Sequence, residues 1–163
     1  MNRRHQQREN NSKVDVINEI RREQELYNQK EYEEIKKKFV DGVPKQDQID
    51  DLKRLAGNGV REAAYGFAHF ATSHLEYSEQ AIAFLKYYKS DLYANHLQGV
   101  LAWFQGDEDT ALYFFLKNAE KRFGTSMIAL HHLMYESPEL KSYKNAQRID
   151  NALEAYYRDY HCC

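Results

Sequence analysis

The sequence predicts an all-α protein, and three observations carry that expectation. The chain of 163 residues holds two Pro and seven Gly, too few for a turn-rich sheet protein. No stretch alternates polar and apolar residues over more than a few positions, whereas apolar residues recur at helical spacing through most of the chain. A hydrophobic content of 42%, with thirteen Tyr and eight Phe, gives enough apolar mass for the core of one domain.

Residues 1–12 contain one apolar side chain, Met1, and read as a disordered basic tail. Residues 13–40 predict a long helix, with Ser12 as its cap and Asp15 three residues on. Its apolar side (Val16, Ile17, Ile20, Tyr27, Ile35, Phe39) is narrow, so most of the helix stays wet. Glu33–Lys37 and Glu34–Lys38 are i,i+4 pairs in the favourable order. Such a helix either lies across the domain or pairs with a second copy to make a homodimer. Asp41-Gly42-Val43-Pro44 ends it, because Gly suits the position after a helix and Pro cannot continue one. A short helix at 46–56 shows Ile49, Leu52 and Leu55 on one face and opens the helical region 46–160.

Hairpins of helices follow. The first joins helix 60–72 (Ala63, Ala64, Phe67, Ala68, Phe70) to helix 78–89 (Ala81, Ile82, Phe84, Leu85), with Ser78 as N-cap. The second, 92–122, is the clearest: a helix over 93–104, a turn at Gly106-Asp107-Glu108-Asp109, and a helix over 110–121 carrying Ala111, Phe114, Phe115 and Ala119. The third joins helix 125–136 to a helix over 138–159 that starts at Ser137-Pro138. Gly66 and Gly99 are 33 residues apart, and Ala81 and Ala111 are 30 apart. Small residues at these places let antiparallel helices approach closely, and each hairpin carries more apolar surface than it can bury alone.

The pattern over about residues 60–157 resembles the tetratricopeptide repeat: Gly99 matches its mid-helix glycine, Gly106 its turn glycine, Ala111 its second-helix alanine and Phe115 the aromatic after it. The resemblance implies a right-handed, solenoid-like stack of about three antiparallel hairpins behind the long N-terminal helix. It also implies a concave face made by the first helix of each hairpin. Carried over residue by residue, that face holds Val60, Ala63, Phe67 and Phe70, then Tyr93, His96, Val100 and Trp103, then His131 and Tyr135. The Lys and Asn with which some members of the family grip a C-terminal carboxylate are absent at these places. The implied groove is apolar and aromatic, suited to a partner's peptide or helix.

The expected function is therefore a non-catalytic protein–protein interaction module, or adaptor. In length, and in having a helical N-terminus before three such repeats, the chain also resembles type III secretion translocator chaperones, so a chaperone holding a secreted client is the alternative. A metal-dependent enzyme is the third class. Against it, His131 and His132 are adjacent and point about 100° apart on a helix, where a helical zinc pair needs i,i+4 spacing. No GxSxG, HExxH or glycine-rich phosphate loop occurs, and no cofactor or metal is expected. The acidic clusters Asp50-Asp51 and Asp107-Glu108-Asp109 sit at helix starts, where capping explains them. The net charge of −2, from 23 basic and 25 acidic side chains, argues against nucleic acid as a partner. No apolar run approaches the ~20 residues that span a bilayer, which argues against a membrane protein. A cytoplasmic location is expected. The tail Cys162-Cys163 reads as a pair of free thiols.

Overall fold

The computed structural model of the chain describes the backbone of residues 3–39 and 44–160, and the side chains of that set except residues 3–13 and 16. The expected stop at Asp41-Gly42-Val43 lies outside the described residues, as do His161, Cys162 and Cys163. Among the described residues eight α-helices follow one another: α1 (Arg3–Lys36), α2 (Ile49–Gly57), α3 (Arg61–Ser73), α4 (Ser78–Leu85), α5 (Leu92–Phe104), α6 (Glu108–Ala119), α7 (Gly124–Glu136) and α8 (Ala146–Tyr160). No strand occurs among the described residues. The protein is all-α, as its composition predicts. No described helix is long and apolar enough to cross a membrane.

Three boundaries differ from expectation, each for a local reason. Helix α1 begins at Arg3, so Ser12 lies inside it rather than capping it, and helical backbone runs where a disordered tail is expected. Neither Gly nor Pro interrupts residues 3–36, and Arg, Gln, Glu and Lys are good helix formers. Ser78 is the first residue of α4 rather than its cap, and its buried hydroxyl makes no hydrogen bond. The last helix is not continuous from 138. A 3₁₀ turn at Pro138–Leu140 is followed by irregular chain, and α8 starts only at Ala146. Asn145 Nδ2 donates to the Leu140 carbonyl (3.0 Å), the kind of local backbone bond by which Asn competes with a helix.

Helix ends use one device three times. After α2, α5 and α6, a residue in the left-handed region lets two successive amides return to carbonyls of the last helical turn. Gly59 (φ 86°) and Gly106 (φ 79°) serve the first two, and the second confirms the turn glycine read from the sequence. The bonds of that turn are Gly106 N to Trp103 O and Asp107 N to Ala102 O, both 2.9 Å. Arg122 (φ 60°) fills the same position after α6, with Arg122 N to Ala119 O at 2.9 Å and Phe123 N to Asn118 O at 3.1 Å. Asp107 Oδ1 then caps α6 by accepting from Thr110 N (3.1 Å), and Asp91 Oδ1 caps α5 by accepting from Tyr93 N (2.8 Å) and Ala94 N (3.0 Å).

Each helix packs against the next in sequence, and α3 also meets α5 while α6 also meets α8. The buried side chains form two cores. One takes Tyr32 and Ile35 from α1, Ile49, Leu52 and Leu55 from α2, the apolar side of α3, Leu85 of α4, and Leu97 and Leu101 of α5. The other takes Ala102 of α5, Phe115 and Leu116 of α6, Met127, Leu130 and Leu133 of α7, and Ile149 and Tyr156 of α8. Helix α5 therefore belongs to both. Exposed ion pairs tie the ends: Glu31 with Arg54, Glu120 with Arg148, and Arg122 with Asp159. Upstream of Asn28, the first buried side chain of α1 among those described, Val14, Ile17, Ile20, Leu26 and Tyr27 are all exposed.

Candidate functional site

The residues expected to line a groove do not share one surface. Val60, Ala63, Phe67 and Phe70 are buried in the first core. Phe67 is fully enclosed: it meets Tyr77 and Phe84 edge-on at 5.9 and 5.8 Å, and the Lys53 ammonium of α2 lies 5.8 Å from its ring centre. Phe70 stacks on His74 at 3.9 Å. These four are core side chains, because the most apolar stripe of a helix marks the face it buries. Trp103 and Val100 are half-buried against the second core, with Trp103 edge-on to Phe115 at 5.9 Å. His131 is half-buried among His132, Tyr156 and Tyr157, and its Nδ1 is buried without a hydrogen bond. Tyr135 is 84% exposed and stands on a different side of α7 from Leu133. Tyr93 and His96 do occupy an inner position, described next.

A hollow of about 300 Å³ opens between α1, α3 and α5. Its walls are Tyr32 and Lys36 from the end of α1, Phe39 just beyond it, Glu62, Tyr65, Gly66 and His69 from α3, and Tyr93 from the start of α5. Tyr65 and Tyr93 meet edge to face at 5.0 Å, which fixes both rings. The Tyr93 hydroxyl and His69 Nε2 share a hydrogen bond of 2.6 Å. Enclosure against that ring lowers the pKa of His69, although one edge of the imidazole stays in solvent. Burial, then Glu33 and Glu62, push the Tyr32 phenol up to about 12. The Tyr65 hydroxyl is buried and makes no hydrogen bond. Burial raises its pKa far, and the Asp91 carboxylate, outside bonding geometry but nearby, adds to the rise. Every phenol here is neutral at ordinary pH. The hollow offers aromatic faces, one ammonium, one carboxylate and the His69 imidazole.

Sequence reasoning missed Tyr32, Phe39, Glu62, Tyr65 and His69. The signal was present in the spacing: Tyr32 and Phe39 are seven apart within the predicted helix 13–40, and Glu62, Tyr65 and His69 stand three and four apart on α3, on the side away from Phe67. Among the described residues, no three His, Cys, Asp or Glu side chains come together in a way that would hold a metal ion.

Compared with known proteins, the chain matches no family model, no curated protein and no solved structure.

Proposed function

We propose that the chain is a non-catalytic protein-binding module, built as a stack of α-hairpins whose first helices share one binding face. The observation that carries this reading is the equivalence of α3, α5 and α7. Each has 13 residues, and they start at residues 61, 92 and 124, so the steps are 31 and 32 residues. The backbone entering α3 (Val60, φ −75°, ψ 103°) is nearly that entering α7 (Phe123, φ −78°, ψ 102°). The backbone leaving them matches as well, at His74 (φ −138°, ψ 75°) and Ser137 (φ −133°, ψ 67°). Aligning helix starts pairs Glu62, Tyr65 and His69 with Tyr93, His96 and Val100, and with Thr125, Ile128 and His132. All of the first three and one of the second line the hollow with Gly66, and all three of the last are exposed.

The partner segment in this reading lies across α3, α5 and α7, seating one side chain in the aromatic hollow and passing Ile128 and His132. Helix α1 with α2 acts as a further hairpin that closes one end. The test is capture of a partner by the wild-type chain, compared with Ile128→Lys/His132→Glu on this face and Tyr113→Lys on α6, where Tyr113 is 58% exposed. All three positions are exposed, so folding is retained. Capture is expected to be lost with the first variant and kept with the second. Capture that survives Ile128→Lys/His132→Glu overturns the face.

A further inference from the structure

Where the two cores meet, the buried polar groups form one directed chain. Asn118 of α6 is fully buried, and its amide nitrogen donates to the Leu92 carbonyl at the start of α5 (2.7 Å) and to Ser126 Oγ at the start of α7 (3.1 Å). A carbonyl only accepts, so the Leu92 bond fixes which end of the amide is nitrogen. Ser126 is also fully buried, and with its oxygen accepting from Asn118, its proton goes to His96 Nδ1, 3.0 Å away. The remaining buried acceptor of the group, Asn118 Oδ1, makes no hydrogen bond, so it is out of the hydroxyl's reach. Nδ1 is therefore the bare nitrogen of a neutral His96. A proton added there reverses the bond: Ser126 Oγ accepts from Nδ1–H with its second lone pair, and the Ser126 proton turns away to a side where no acceptor awaits it.

We propose that this junction is an acid-sensitive joint: protonation of His96 takes away the acceptor of the Ser126 hydroxyl, puts a charge among aromatic rings, and loosens α7 and α8 from α5. The groups in contact with the ring give the imidazolium no carboxylate to pair with. Tyr93 faces the ring from α5 (6.3 Å), Phe115 from α6 (5.6 Å) and Phe123 from the turn before α7 (6.1 Å), with Asn118 and Ser126 uncharged beside them. The titratable neighbours are the Tyr93 phenol and, from α3, His69, whose positive form repels. Burial, then His69, push the His96 pKa down to about 4 from an ordinary 6.5. The unfolded chain thus binds the proton first. Stability is complete above pH 6.5 and falls as pH drops from there toward 4.

The experiment is a pair of measurements on the intact chain. NMR titration of the His96 ring is expected to show no protonation of the folded form down to about pH 5. Urea unfolding is expected to show the unfolding constant rising by up to about tenfold per pH unit between 6 and 4.5. His96→Gln, which offers an amide but does not titrate, should flatten that slope, while His69→Gln should leave most of it. Hydrogen exchange at pH 4.5, corrected for intrinsic rates, should rise in α7 and α8 before α2 and α3. A folded-state His96 pKa near 6.5 overturns the proposal, and so does the same slope in wild type and His96→Gln. If His96→Gln does not fold, the wild-type titration and exchange decide, and uniform exchange in all helices overturns it.

Discussion

Gly66 and Gly99 look alike in sequence and differ in space. A Cβ on Gly99 would lie 2.6 Å from Phe115 Cε1 and 3.1 Å from Phe114 Cβ, so α5 and α6 approach as closely as glycine allows. A Cβ on Gly66 would sit 3.8 Å from Leu52 Cδ1 and 3.9 Å from Phe39 Cε2, an ordinary contact. Gly99→Ala is therefore expected to destabilise by roughly 1–3 kcal/mol through overpacking. Gly66→Ala is expected to be neutral or to stabilise by up to about 1 kcal/mol, since glycine in a helix interior is itself a cost. Urea midpoints of the two variants check both signs. Arg122 is the converse case, a side chain in the left-handed region that Gly59 and Gly106 occupy at the two equivalent turns. Arg122→Gly should raise stability by about 1 kcal/mol, because the exposed pair with Asp159 that it gives up is worth little.

Helix α1 is two things along its length. Through Tyr27 its described side chains are exposed, and from Asn28 it docks through Tyr32, Ile35 and the Glu31–Arg54 pair. Deleting residues 1–24 should shift the melting temperature by no more than a degree or two, whereas deleting through Lys36 should lower it by many degrees, as two core side chains leave. Circular dichroism melts distinguish the two. The number and type of helices were legible in the chain because apolar spacing and turn glycines agree, as at Gly106 and Ala111. The phase of the proposed binding face was not. Matching Gly66 to Gly99 gives a step of 33 residues, but the helix starts are 31 apart, and a slip of two residues turns a helix by about 200°. That slip exchanged the open side of α3, with Tyr65 and His69, for the buried side, with Phe67. The break before α8 was hidden as well, because it depends on the Asn145 side chain reaching a carbonyl five residues back.

At the scale of the molecule, α5 ties the two cores together: Leu97 and Leu101 lie in one, Ala102 in the other. At pH 7 the two halves should therefore unfold in one transition. Trp103, the single tryptophan, packs against the second core and reports on it by fluorescence, while circular dichroism reports on all helices. The two urea curves are expected to coincide, and separate midpoints would show that α5 does not couple the halves. The order of packing has a kinetic meaning too. Neighbours in space are mostly neighbours in sequence, and α3 to α5 and α6 to α8 are the chief contacts that reach past one helix among the described residues. Forming any contact then closes a loop of a few dozen residues at most, and the entropy lost before the first reward is small. Such a chain folds on the order of microseconds to milliseconds and can begin at either end, so a ribosome that has released α1 to α5 has already delivered the helices of one complete core.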